Sequence, residues 1–268
     1  MNTNISKEYK KYLKNKKIKK ILILSAQIGI LVMIIALWEI LAVTQVIDTF
    51  IMSSPSRIIA TIGDLYANGN LFYHIFTTLN EAIIGFLIAT IGGTIIAIIL
   101  WWNDTLRRIL DPYIVVLNSL PKIALGPIII IWVGVGTASI VTMDILIMII
   151  ITIISMLNAF RQVDDSKIML LKSMNANKFQ ILFKLILPSA LSEFISLLKI
   201  NVGLTWVGTI MGEYLVSKAG LGYLIIYGSQ IFNLDLVMAS TIILCILAAL
   251  MYFIVAFIEK QVNKKLNN

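Results

Sequence analysis

Six apolar runs, each long enough to cross a bilayer, dominate this chain: Ile21–Val43, Ala82–Trp102, Tyr113–Val133, Thr137–Asn158, Leu191–Met211 and Leu236–Ile258. A hydrocarbon core takes about 20 apolar residues per helix, and lipid forces every crossing segment to satisfy its own backbone. The predicted fold class is therefore all-α, a polytopic membrane protein with six transmembrane helices. Composition agrees: 59% of the residues are hydrophobic and 13% charged, against about 45–50% and a quarter in soluble domains. That balance excludes a soluble enzyme, a disordered protein and a nucleic-acid binder. A single cysteine, Cys245, and a single histidine, His74, exclude an intramolecular disulfide, a thiolate cluster and a multi-imidazole metal site. No metal and no cofactor is expected. The first run exceeds the 7–15 residues of a signal-peptide core and lacks a small-x-small cleavage site, so it reads as a span.

Orientation follows from the basic residues. Eighteen of the 22 lysines and arginines fall on one face: eight between Lys7 and Lys20, then Arg107, Arg108, Arg161, Lys167, Lys172, Lys178, Lys184, Lys260, Lys264 and Lys265. Arg57 and Lys218 fall on the other. Short basic loops stay cytoplasmic, so both termini are expected inside a cell membrane. The predicted organisation is a basic N-terminal arm (1–20), a transmembrane domain (21–260) with a basic inner loop at about 159–190, and a tail (261–268). The arm is read as a topology determinant, with an anionic-lipid patch as the alternative.

Several features within the spans bear on function. Small residues recur at Gly85, Ala89, Gly93 and Ala97, and again at Gly208 and Gly212; such stripes let helices approach closely, either inside one subunit or across a dimer seam. The third run is interrupted by Pro121 and Pro127 around Lys122. Each proline removes a backbone donor, and broken helix at membrane depth is tolerated only in protein or beside water. Lys122 is a candidate functional cation, or it snorkels or pairs with Asp144 on the fourth span. Glu39, Glu81 and Glu213 are placed near outer span ends, where carboxylates reach water.

Nothing resembles a catalytic constellation or a nucleotide-binding loop. The chain is then a channel, a secondary transporter, an assembly protein, or the membrane half of a machine whose motor is another chain. The inner loop bears on the choice. An amphipathic piece breaks at Asn175-Ala176-Asn177, and a second, Lys178–Leu187, is expected to stop at Pro188. Phe179, Leu182 and Phe183 on it are expected to face cytosol, to fill a partner's groove or to float on lipid.

At this loop the chain resembles permeases of the binding-protein-dependent ABC importers. Leu185, Leu187 and Pro188 match that family's cytoplasmic motif, and Asn175 stands where the family has Gly, while Met169-Leu170-Leu171 replaces Glu-Ala-Ala. The stretches Leu120–Pro127, Ile131–Gly136, Gly212–Leu215 and Ala219–Ile225 are similar to the nitrate/sulfonate/taurine branch. So is Thr78–Phe86, except that relatives usually have Arg at the position of Glu81.

The resemblance implies a permease subunit and not an enzyme. Its partners would be two ATP-binding subunits, a second permease copy and an extracellular or periplasmic binding protein. Asn175, Ala176, Lys178, Phe179, Leu182, Phe183, Leu187 and Pro188 would form the coupling helix on the ATPase. The pathway would run past Pro121, Lys122, Pro127, Asp144, Gly208, Gly212 and Glu213. The expected solute is a small organic or inorganic anion such as a sulfonate, taurine or nitrate. An uncharged thiamine-pyrimidine precursor, or an ion-driven secondary transporter, is the alternative.

Overall fold

The apolar runs all become helix, but the helices overrun them. A computed structural model describes residues 7–266, so the start of the N-terminal arm and the last two tail residues lie outside the described residues. Helix α1 (Lys7–Val43) carries the basic arm straight into the first span without a break at residue 20. A short outer helix, α2 (Pro55–Ala67), starts at Ser54, whose hydroxyl caps the Arg57 amide, with Pro55 in its first turn; this is the preferred residue chemistry for a helix start. Helix α3 (Asn70–Trp102) begins twelve residues before the apolar run, extending it into the expected outer loop.

The interrupted run is two helices. α4 (Asp104–Ser119) and α5 (Gly126–Val133) meet through a 3-10 turn, Lys122–Leu125, and bend by 87°. Leu120, ahead of Pro121, is extended (φ −65°, ψ 142°), as the residue before a proline is driven to be. The chain then runs through α6 (Thr137–Arg161), α7 (Asp165–Ser173), α8 (Leu191–Val216), α9 (Leu221–Gln230) and α10 (Leu234–Leu266). Among the described residues five helices are long and apolar enough to cross a membrane, and counting the bent pair as one span makes six.

Helices α3, α6 and α8 form the packed centre. α3 and α6 run parallel, because Glu81 meets Thr137 near one end while Gly93 lies against Thr152 nearer the other. The bent pair therefore joins opposite ends of the bundle: α4 follows Trp102, and α5 ends four residues before Thr137. The Gly85-Ala89-Gly93-Ala97 stripe is buried against α6 inside this chain. A Cβ at Gly85 would stand 2.5 Å from Asp144 Oδ2. Of the two uses weighed for that stripe, internal packing is the one it serves. Lipid tails are as apolar as leucine, so close backbone approach and interhelical hydrogen bonds hold such a bundle together. Asn201 Nδ2 donates to both Thr90 and Thr152 at 3.0 Å, tying all three helices.

Two apolar cores flank this centre. One, at the lysine-rich end, gathers Leu100, Met156, Phe160, Ile181, Leu182 and Ile186. The other, at the far end, gathers Leu71, Trp206, Leu221, Leu224 and Ile243 around α9, a helix in a segment expected only as loop. Lys199 of α8 pairs with Glu259 of α10 at 2.5 Å. Helix α1 stands apart: none of its most apolar 18-residue window is buried within the chain.

Candidate functional site

At the lysine-rich end, residues 174–189 form one continuous device. Asn175 closes α7 in the left-handed conformation (φ 62°), its amide donating to Lys172 O while that of Ala176 reaches Leu171 O. Asparagine tolerates this conformation better than most side chains. Asn177 then starts the next helix with a reciprocal capping box: its side chain accepts from the Gln180 amide, and Gln180 accepts from the Asn177 amide, each at 2.8 Å. The helix runs from Lys178–Ile181 through a π turn, Leu182–Ile186, into Leu187–Ser189.

Pro188 does not stop the helix, as the sequence suggested. The π turn, in which Leu187 N donates to Leu182 O, widens the coil just before the proline that would otherwise break the ladder. Leu182 is also corrected. It is 3% exposed and sits in the core with Ile181 and Ile186, whereas Phe179 and Phe183 are each 62% exposed. Leu182 therefore anchors the helix, which presents the two phenylalanines. Ala176 and Leu187 are half-buried against the same core.

This helix is locked to the end of α3. Lys178 Nζ donates to the Trp102 carbonyl and lies 5.1 Å from the Trp102 ring centroid, while the Phe179 ring packs at 4.7 Å. An apolar groove of about 480 Å³ opens beside it, walled by Ile98, Trp102, Leu106, Phe183 and Leu187. On the neighbouring α7, Asp164 caps the helix start; the Ser166 amide holds its carboxyl below the usual carboxylate range.

At the far end a cavity of about 1010 Å³ opens between α3, the α5–α6 turn and the loop after α8, with Tyr73, Phe76, Asn80, Glu81, Thr137 and Lys218 on its wall. Behind it lies a buried polar file. Asn201, Thr205, Thr209 and Glu213 repeat every fourth residue on α8 and are all fully buried. Thr209 donates to Asp144 Oδ2 at 2.7 Å. Glu213 Oε2 accepts from the Gly222 amide at 2.5 Å and the Tyr223 amide at 3.2 Å, so its carboxyl group sits at the N-terminus of α9. Gly220 (φ 109°) turns its amide onto His74 Nδ1 at 3.0 Å, and any Cβ there would strike the Glu213 carboxyl.

Two expectations change here. Glu81 and Glu213 are not freely hydrated but only 2% and 0% exposed: the start of α9 covers Glu213, while Glu81 turns towards Thr137 of α6 at the cavity wall. Lys122 does not pair with Asp144; its Nζ donates to Asn118 O at 3.3 Å, and Asp144 is engaged by Thr209. The remaining pathway candidates scatter. Pro121, Lys122 and Pro127 mark the bend, while Gly208 packs on Asp144 and Gly212 on Ile140 of α6. Missed from the sequence were His74, Trp102 and the burial of Glu81. The first and last had a signal: positions 74, 78, 81 and 85 of α3 share one helical face.

Comparison with known proteins bears on both sites. Residues 89–268 match the family of binding-protein-dependent transport system inner membrane components. An ABC transporter permease protein of Haemophilus influenzae is 30% identical over 227 residues, 84% of this chain and 90% of its own length. The taurine transport system permease protein TauC of Escherichia coli is 25% identical over 229 residues, covering 84% and 83%. The formylaminopyrimidine transport permease protein ThiX of Halalkalibacterium halodurans is 29% identical over 191, covering 71% and 76%. The fold is shared with a bacterial alginate ABC transporter solved with its alginate pentasaccharide-bound periplasmic protein (TM-score 0.65, 12% identity, 93% of this chain and 98% of that one). With five or six membrane helices among the described residues, a capped helix presented at the lysine-rich end and transport permeases as relatives, the chain belongs to the binding-protein-dependent transport system inner membrane components, as a permease subunit of an ABC importer.

Proposed function

We propose that the 178–189 helix is the lever by which a separate ATPase drives this permease. The observation that carries the reading is the split of that helix into an anchored face (Ile181, Leu182, Ile186) and a presented one (Phe179, Phe183). Phe183 and its neighbours dock in the motor subunit, Lys178 and Phe179 pass the displacement to Trp102, and α3 carries it towards the far end. The lysine-rich end is cytoplasmic, with both termini on that side. Two copies of this chain assemble with two ATPase subunits, and a binding protein delivers solute over the cavity at the far end. The cycle is a shift between inward-open and outward-open populations driven by differential binding of nucleotide to the motor.

The solute is a small organic anion of the sulfonate or taurine type, a reading supported by the taurine permease relative. A second reading has an observation of its own. The cavity wall sets the aromatic rings of Tyr73 and Phe76 beside Asn80 and Glu81, with one cation, Lys218. That mixture suits an uncharged aminopyrimidine, and the formylaminopyrimidine permease is a relative too.

Reconstitution with the ATPase and binding protein tests both. Phe183→Asp should insert normally yet abolish ATPase association and ATP-driven uptake; normal uptake refutes the lever. Uptake competition between a sulfonate and an aminopyrimidine separates the solutes. Lys122→Gln with unchanged kinetics removes that residue from the pathway.

A further inference from the structure

We infer that Glu81 and Glu213 form a buried proton-binding pair, with Asp144 beneath it, at the floor of the far-end cavity. The reading goes beyond the importer assignment and does not depend on it.

The argument is a hydrogen-bond inventory. Glu81 Oε1 accepts from Thr137 at 2.8 Å. Both amide donors at Glu213, from Gly222 and Tyr223, go to Oε2. That leaves Glu81 Oε2 and Glu213 Oε1 buried without a donor. Gly85 and Gly208 both pack on Asp144, so Glu81, one turn before Gly85 on α3, and Glu213, one turn beyond the Thr209 that bonds Asp144 on α8, are brought to the same level of the bundle. Two ionised carboxylates are acceptors only and cannot hydrogen-bond to each other. One hydrogen between them supplies the donor that both leftover oxygens lack, and it removes one of two like charges from a water-poor site.

The surroundings offer no other compensation among the described residues. From α3 the pair faces His74, whose Nδ1 is occupied as an acceptor of the Gly220 amide, leaving the ring's one hydrogen on Nε2. From α6 comes Asp144, itself 0% exposed and with Oδ1 unpartnered. From α8 comes Tyr214 and from α9 Tyr223, both without positive charge. Lys218 lies at the cavity wall and makes no ion pair with any of the three acids among the described residues. A single proton is the smallest cation that can supply a donor to the leftover carboxyl oxygens. Glu81 lines the cavity, which gives the proton its route from solution.

Infrared difference spectroscopy on the purified chain in lipid vesicles tests this without any transport assay. The wild type should show an un-ionised carboxylic-acid band at neutral pH that shifts in heavy water, and Glu81→Gln and Glu213→Gln should each remove it. Glutamine at 81 can still accept from Thr137 and donate to Glu213, so the fold is kept. Should either variant misfold, the wild-type titration alone decides: no such band at neutral pH overturns the proposal. A band that survives Glu81→Gln and vanishes in Asp144→Asn overturns the pair in favour of Asp144. Loss of the wild-type band on replacing choline by sodium overturns it in favour of a bound metal cation. Loss of uptake with the band intact would fault the importer reading only.

Discussion

Phe179 packs against Trp102 with ring centroids 4.7 Å apart and planes inclined at 57°, and the neighbouring Lys178 lies over the same indole. One tryptophan at the last turn of α3 thus receives both the apolar and the charged contact of the 178–189 helix. An aromatic pair contributes about 0.5–1.5 kcal/mol beyond its buried area, and a cation over an indole about 0.5–1 at exposed sites. Phe179→Ala and Trp102→Ala should therefore each lower the unfolding midpoint, and together by less than the sum. A double-mutant cycle should return a coupling of about 1 kcal/mol.

Asn175 occupies the left-handed region at φ 62°. Glycine adopts it without penalty, whereas a β-branched residue meets its own backbone at a cost of roughly 1–2 kcal/mol. Asn175→Gly should leave uptake and stability unchanged. Asn175→Val should unravel the α7 terminus, read as faster proteolysis at residues 173–178 and reduced ATPase association.

Gly208 is pressed onto α6: a Cβ there would meet the Asp144 carboxyl, with Asp144 Cα 3.0 Å away. Overpacking of this kind costs about 1–3 kcal/mol. Gly208→Ala should lower the thermal midpoint. Asp144→Ala in the same chain should restore only part of the loss, because the backbone contact remains.

At the far end, Asp235 gathers Ser53 Oγ at 2.6 Å and the Arg57 guanidinium at 2.6 and 3.1 Å, clipping the α2 entry to the start of α10. The ion pair is partly exposed (46% and 19%) and contributes under about 1 kcal/mol. Asp235→Ala orphans Ser53, which is fully buried, and such donors cost about 1–3 kcal/mol. Asp235→Ala should therefore destabilise more than Arg57→Ala, and only the pair's share should fade in high salt. Thermal scans of both variants at two ionic strengths check this.

Much of the bundle was legible because lipid leaves a chain few choices. The six runs, the interruption at Pro121 and Pro127, and the break at Asn175 each follow from a local rule about backbone groups or side-chain length. Features that depend on what folds back over a residue were not legible. Glu81 and Glu213 lie in polar-looking span ends, and the neighbours that bury them, Thr137 of α6 and the start of α9, come from elsewhere in the chain. Leu182 and Phe183 are adjacent apolar residues in one short helix, and the core of Leu100, Met156 and Phe160 that takes Leu182 and leaves Phe183 displayed comes from distant parts of the chain. The stripe of Gly85, Ala89, Gly93 and Ala97 announced close packing without naming the partner helix, since small residues specify distance and not identity.

The 87° elbow between α4 and α5 interrupts the ladder of backbone hydrogen bonds midway along a span. Peptide groups released in this way cannot rest in oil, and the Lys122 ammonium folds back to serve one of them, the Asn118 carbonyl. The elbow therefore has to turn towards protein or water and away from lipid tails, and whatever covers it touches bare main chain.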